Sequence, residues 1–413
     1  MQAQVHGCTD PGNTVKENQD TFLAIRHNTH VALAVFDGHG KSHGKLAAET
    51  AKAFFEHKFQ QDHTYEELRI DGEATLRLLF DECHATIRQA FQAYYERRRL
   101  HAEERNGGYL VVKQGLLQKS LLVQGGTTAS IVVVLDSGAT MLCANVGDSS
   151  SLLCVPSPLD ASWSSLQASS VLHLLRKHNT LPPVAVPVEL PESTSVVQLC
   201  GDHSPECMTE FQRTALARSI STKHGNMPEL LFVYDSLIDG HSNQRVSVRE
   251  KHIALEKSPV FTVVNDVVAK AGEGSYYKNV RQEWASLCCT PAKAKYHESL
   301  AFTRSLGDFY IHSFGLTHQP DVIQVDVAAL MRQEAWTTVL VVVGSDGIWD
   351  AWDYAAFNQV LWKAMADHKS ALPLVADDVM QQNKQVSAQV FGPAVDNMTL
   401  VVCSLTMNGS SSS

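Results

Sequence analysis

The sequence has 413 residues, 44% of them hydrophobic, enough for a sizeable core in one large domain or two ordinary ones. Acidic residues outnumber basic ones 44 to 34, a formal charge of −10, which works against any long polyphosphate partner and so against a nucleic-acid function. Nine cysteines without a C-x-x-C spacing, two of them adjacent at Cys288 and Cys289, indicate neither a zinc ribbon nor a disulfide framework.

Between Met1 and Gly12 no basic start is followed by an apolar core, so no secretory signal is read. The longest apolar stretches, such as Val339 to Val343, have strand length and not the length of a membrane span. The expectation is a soluble intracellular protein, cytoplasmic or nuclear. Polar turns at the amino end lead into a short strand from about Thr21 to Ile25, with Asp20 just before it. The apolar run Val31 to Phe36 follows and stops abruptly at Asp37-Gly38-His39-Gly40. A buried strand that ends in a turn sets a carboxylate and an imidazole on a rigid edge, and glycine lets a backbone carbonyl approach an ion. Ser42 is read as the cap of a helix with Leu46, Ala47, Ala51, Phe54, Phe55 and Phe59 on its apolar face, and His43, Lys52 and His57 as solvated positions on it.

A longer helix is expected from about Glu73 to Leu100, with an apolar stripe of Leu76, Leu79, Phe80, Cys83, Ile87, Phe91 and Tyr94. Its Arg97-Arg98-Arg99 triplet complements the helix dipole. Gly125-Gly126-Thr127-Thr128 introduces a hairpin, Ala129 to Leu135 and Thr140 to Val146, that leaves at Gly147-Asp148. From Pro156 to Tyr296 prolines and serine runs argue for loops and an insertion. Within it, Ser204 and Pro205 start a helix running toward Arg213, and capping accounts for Asp202-His203 without a metal. Leu230 to Tyr234 and Val260 to Val268 are either short strands or helix. Regularity returns at Ser299 to Asp308, and the run Thr337 to Val343 predicts a strand buried on both faces, ending in Gly344-Ser345-Asp346-Gly347-Ile348-Trp349-Asp350. A helix bearing Trp352, Ala356, Val360 and Ala364 follows, then another near Val375 to Val390, and Asp396-Asn397 precedes a strand from Met398 to Leu405.

Four carboxylates, Asp37, Asp148, Asp346 and Asp396, thus border four strands. If the strands bring these ends to one edge, the anions converge, and divalent cations would resolve their repulsion. Oxygen-only ligands favour magnesium or manganese over zinc. Two such ions about 3.5 to 4 Å apart could activate a shared water for in-line attack on a phosphoryl group, without a covalent intermediate. His39, two residues from Asp37, is either a proton donor to the leaving alkoxide or a structural histidine in a tight turn.

The ordered series K-E-N-Q-D, F-D-G-H-G, G-G-T-T-A-S, N-V-G-D-S, L-A-F-T-R-S-L-G-D, G-S-D-G-I-W-D and D-N-M-T-L-V-V resembles the metal-dependent protein phosphatase family, the protein phosphatase 2C type of serine/threonine phosphatase. The resemblance covers residues 7 to 155 and about 297 to 405. It implies an α+β fold, a four-layer α-β-β-α sandwich of two packed antiparallel sheets flanked by helices. That fold would form one catalytic domain over 1–408, interrupted by an insertion or flap at about 156–296 and followed by a polar tail at 409–413. It further implies hydrolysis of phosphoserine and phosphothreonine on protein substrates by a monomer using two magnesium or manganese ions, with a weaker third. By matching motif, Asp37 would bridge both ions, the Gly38 carbonyl would bind one, and Asp346 and Asp396 the other. Asp148 and Asp350 would match the third site, His39 would be the general acid, and Asp20 would orient it. Asp308 belongs to a motif that is mainly structural in the family.

The sequence departs from the family pattern in three places. Gln19 stands where many members have an acidic residue, Val15 where an arginine commonly grips the phosphate, with Lys16 adjacent, and Ser150-Ser151 replace a motif arginine. These departures motivate an alternative, a pseudophosphatase or scaffold that binds phosphorylated partners.

Overall fold

The computed structural model describes residues 1–12, 17–114, 119–138, 140–156, 195–201, 203–220, 230–235, 258–265 and 267–407. Val15, Lys16, Asp202 and the tail at 409–413 lie outside them.

Ten strands build two five-stranded sheets: β1 (Gln2–Asp10), β2 (Thr21–His27), β3 (His30–Phe36), β4 (Ala129–Leu135), β5 (Thr140–Val146), β6 (Ser150–Cys154), β7 (Val196–Gln198), β8 (Asp321–Val325), β9 (Thr338–Gly344) and β10 (Met398–Thr406). The first sheet runs β1-β10-β9-β6-β7 and the second β8-β5-β4-β3-β2, every neighbouring pair antiparallel.

Strand alternation separates three apolar layers. In β3, Val31, Leu33 and Val35 enter the core between the sheets, while Ala32, Ala34 and Phe36 meet the helices α1 (Gly44–Lys58), α2 (Asp62–Ile70) and α3 (Gly72–Glu96). In β9, Val339, Val341 and Val343 face the other sheet, while Leu340 and Val342 pack under α5 (Tyr354–Asp367) and α6 (Leu372–Phe391). This is the four-layer sandwich that the resemblance implies. The described part of the insertion adds α4 (Met208–Ile220), which begins past the expected Ser204–Pro205 start because those residues form a turn, and a cluster in which Phe232, Val260, Phe261 and Cys288 pack on Tyr310, Ile311 and Phe314. Both stretches left open in the sequence are strands, Leu231–Tyr234 and the hairpin Phe261–Val264 with Val267–Lys270.

Four expectations need correction. The amino end is not polar turns: Gln2 to Asp10 pairs with β10 along its whole length, an edge strand whose half-polar face hides its alternation. Ser42 does not cap α1, whose N-cap is His43 without a side-chain bond. His43 is buried and not solvated, its Nδ1 donating to Gln124 O at 3.0 Å among Phe91, Tyr94 and Tyr95. Finally, α5 buries Phe357, Leu361 and Ala364 and exposes Ala356, so its inward face lies one residue off the expected stripe. No helix among the described residues is long and apolar enough to cross a membrane.

Candidate metal centre

Antiparallel pairing sets the start of each strand beside the end of its neighbour, and the register gathers the candidate aspartates at one edge. Thr21 pairs with Phe36, Val35 with Ser130, and Ala129 with Val146 in the second sheet; Ser150 pairs with Gly344, Gly344 with Leu400, and Asp10 with Met398 in the first. Asp20, Asp37, Asp346 and Asp396 each lie within two residues of one of these pairs, and Asp148 sits in the turn that crosses from sheet to sheet.

Side chains staple that edge. Asp37 N–H donates to Thr128 Oγ1 at 3.1 Å, Thr128 N–H returns to Asp37 O at 2.9 Å, and Thr128 Oγ1 shares a 2.7 Å bond with Ser149 Oγ. Across the sandwich, Ser345 N–H donates to Thr399 O and Thr399 N–H to Ser345 Oγ, both at 3.0 Å, which fixes Asp346 beside Asp396. Gln19 N–H reaches Asn397 Oδ1 at 2.9 Å and joins the two halves. A Cβ on Gly347 would stand 2.0 Å from Asn397 O, and one on Gly38 2.5 Å from Gly44 O, so the turns that carry the aspartates admit no side chain there.

The charges then act on one another. Burial, followed by the charges of Asp20, Asp346, Asp148 and Asp396, holds the Asp37 carboxyl well above its ordinary range. Asp346 is held up in the same way by burial and by Asp148, Asp350 and Asp396. Burial brings Asp20 to about 6, and burial together with Asp148 brings Asp350 to about 6 against the pull of Lys278. Neither buried oxygen of Asp20 has a hydrogen-bond partner among the described residues. An all-oxygen set of mutually repelling carboxylates with unpartnered atoms matches hard divalent cations such as magnesium or manganese.

Three short strands bring the remaining motifs together: Gly38–His39 and Leu306–Gly307 both pair with Gly126–Thr127. Here His39 takes a partner other than the expected one. Asp20 is not its orienting carboxylate; His39 Nε2 donates to Asp308 Oδ2 at 2.6 Å, and Ser305 Oγ donates to the same oxygen at 2.7 Å. Asp308 has a left-handed backbone (φ 45), which aims its carboxylate back at the histidine, and a Cβ on Gly126 would lie 2.1 Å from Asp308 Oδ2. Burial opposes a charge on His39, but the charge and bond of Asp308 more than offset it and raise the imidazole above its ordinary value. Gln19, which stands where many members of the family have an acidic residue, sends its amide Nε2 to Gly40 O at 3.3 Å.

Behind the edge lies a polar hub that the sequence did not announce. Gly147 N–H donates to His203 Nδ1 at 3.2 Å, and His203 Nε2 lies 3.1 Å from Asp321 Oδ2, so His203 braces the turn holding Asp148. Arg304 bonds Asp321 at 2.8 Å and buried Glu210 at 2.6 and 3.0 Å, while Thr303 and Arg213 also bond Glu210. Burial works against the ionised Glu210, yet Arg304 and Arg213 take it well below the usual carboxylate range. Glu210→Gln is expected to cost roughly 3–5 kcal/mol in urea unfolding, since it leaves Arg304 buried and short of charge. The Glu210 contribution is complete at neutral pH and is lost as pH falls below the ordinary carboxylate value through its depressed one, so the variant should differ little from wild type in strong acid. A loss under 1 kcal/mol at neutral pH would contradict this role.

A model of the protein phosphatase 2C family matches residues 18–157 and 285–389, more than half of the chain; the stretch between the two matched segments falls within the insertion, and residues 1–17 and 390–413 are also unmatched. Comparison with curated proteins gives no match. Among solved structures, a serine-threonine phosphatase 2C from Toxoplasma gondii is 14% identical, with TM-score 0.52 over 97% of this chain and 94% of that one. A C. elegans sex determining protein is 16% identical, with TM-score 0.49; 98% of this chain is covered, and 65% of that one. The Mycobacterium tuberculosis serine/threonine phosphatase PstP/Ppp is 14% identical, with TM-score 0.43 over 98% of this chain and 99% of that one.

Proposed function

Because the chain belongs to the protein phosphatase 2C family of serine/threonine protein phosphatases, we propose that it removes phosphate from phosphoserine and phosphothreonine on protein substrates as a monomer, at a two-ion centre on the strand-end edge. The observation that carries this reading is the gathering of Asp20, Asp37, Asp346 and Asp396 at one strand-end edge, where burial and neighbouring carboxylates hold Asp37 and Asp346 above the ordinary range. Asp37, the Gly38 carbonyl, Asp346 and Asp396 would hold two magnesium or manganese ions. Such ions, when bound, lower the pKa of a shared water and polarise the phosphoryl group.

The chain's own residues supply position and a proton. Asp308 keeps His39 charged against burial and would do so against the repulsion of nearby cations, and Nδ1, the ring nitrogen that Asp308 does not engage, would give its proton to the departing alkoxide. Asp20, set beside Asp37, adds negative charge to the ligand shell and does not orient His39. One catalytic unit would span 1–408, and the part of the insertion that docks at the acidic edge, residues 271–285, would help select substrates.

Hydrolysis of a phosphothreonine peptide with manganese, and its loss with chelator, tests this reading. Full turnover in excess chelator would overturn the metal-dependent centre. Turnover on free aryl phosphate with none on any phosphopeptide would overturn the protein-substrate assignment.

A further inference from the structure

One lysine lies in the field of these carboxylates, its ammonium paired with Glu283. The segment 271–285, from the insertion, comes back to the acidic edge and docks on the chain that follows Asp346. Val280 N–H donates to Asp350 O at 3.1 Å, and Asn279 Nδ2 donates to Glu283 Oε2 at 2.7 Å and to Asp350 Oδ1 at 3.3 Å. The Arg281 guanidinium bonds the carbonyls of Trp349 and Trp352 and lies 4.8 Å over the Tyr354 ring, so it satisfies the carboxyl end of the single helical turn Asp346–Trp349.

This clamp fixes Lys278. Its N–H donates to Glu283 O at 2.8 Å, its ammonium lies 3.6 Å from Glu283 Oε2, and its side chain is only 22% exposed. The charges acting on it are Asp148, Asp350, Glu283 and Asp346, in that order, and they more than offset the cost of burial, so the ammonium stays charged. Two of the four, Asp148 and Asp350, are the pair that the family resemblance gives to a weaker third ion.

We propose that Lys278 is a built-in cation that stands in for a third divalent ion at the Asp148–Asp350 end of the edge. The proposal rests on the two-ion reading above and adds to it how many ions this chain takes up. A single ammonium offsets part of the negative charge of Asp148 and Asp350 and is supplied by the fold, so that end is partly compensated without metal. A dication arriving there meets like charge and has to displace the lysine, so docking of 271–285 and uptake of a third ion oppose each other, each weakening the other by the same factor.

Calorimetric titration of manganese into the metal-free full chain tests this, with wild type, Lys278→Met, Lys278→Gln and Lys278→Arg compared. Wild type and the Arg variant should take two ions. The Met and Gln variants should gain a third site in the millimolar range or below, at least about tenfold tighter than any third binding in wild type. In the double variant Lys278→Met with Asp350→Asn that site should vanish. Two ions with equal affinity in all single variants would overturn the proposal and leave the two-ion centre standing. A third site that survives Asp350→Asn would overturn its placement. No manganese uptake by any of them would overturn the centre itself, and this proposal with it.

Discussion

Asp346→Asn is expected to lower kcat/KM on a phosphopeptide by at least on the order of a hundredfold, because it would remove a charge from the proposed ligand shell itself and not from the groups behind it. The same substitution should stabilise the metal-free protein by roughly 0.5–2 kcal/mol, since it relieves a carboxylate that burial, Asp148, Asp350 and Asp396 all disfavour. Opposite signs in activity and stability are what a charged, metal-seeking site produces and what a merely structural aspartate does not. The pH dependence follows the same physics. Asp20 and Asp350, raised to about 6, each cost the fold stability as pH climbs above the ordinary carboxylate value, and the cost is complete above about 6. In chelator, the cost of these carboxylates should therefore shrink as pH falls from about 7 toward 5, against the opposite trend of buried His84 and His312, whose lowered values cost stability over the same interval. A melting series in chelator from neutral to mildly acidic pH reads both effects. A destabilised Asp346→Asn, or an Asp350→Asn variant whose stability follows the same pH trend as wild type over that interval, would contradict the repulsion.

His39→Gln should cost about 10²- to 10⁴-fold on phosphothreonine peptide. Its cost on p-nitrophenyl phosphate should be far smaller, because a nitrophenolate leaves without a proton. The leaving-group dependence separates a proton donor from a histidine that only fills space against Phe302, whose ring lies 5.0 Å away. Asp308→Asn, which removes the charge holding the imidazole up, should shift the alkaline limb of the peptide profile to lower pH and leave the aryl phosphate profile nearly unmoved. Equal losses on both substrates would place His39 in structure alone.

Much of this was legible in the sequence because its signals are local. A β-branched run that stops at Asp-Gly, as at Val343 to Gly347 or Val35 to Gly38, declares a buried strand and a turn at once, and both strands lie where expected. The hairpin Ala129–Leu135 with Thr140–Val146 matches its expected boundaries for the same reason. What needed coordinates is non-local. Gln2–Asp10 becomes a strand only because β10 offers it nine partners, and its own half-polar pattern does not reveal that. Asp308 is 269 residues from His39, and only the pairing of Gly307 with Gly126 and of Gly126 with His39 brings them together. Lys278 and Glu210 lie in the stretch whose prolines and serines erase periodicity, so nothing local distinguished them from surface charges. A buried aromatic setting for His43 was equally invisible, since α1 alone gives no hint that Phe91, Tyr94 and Tyr95 of α3 would cover it.

The most direct test of the central claim is anomalous diffraction from a crystal soaked in manganese. Two peaks at the strand-end edge are predicted, both within coordination distance of Asp37 and one of them shared with Asp346 and Asp396. No peak near Asp37 at millimolar manganese, or peaks confined to other parts of the surface, would contradict it.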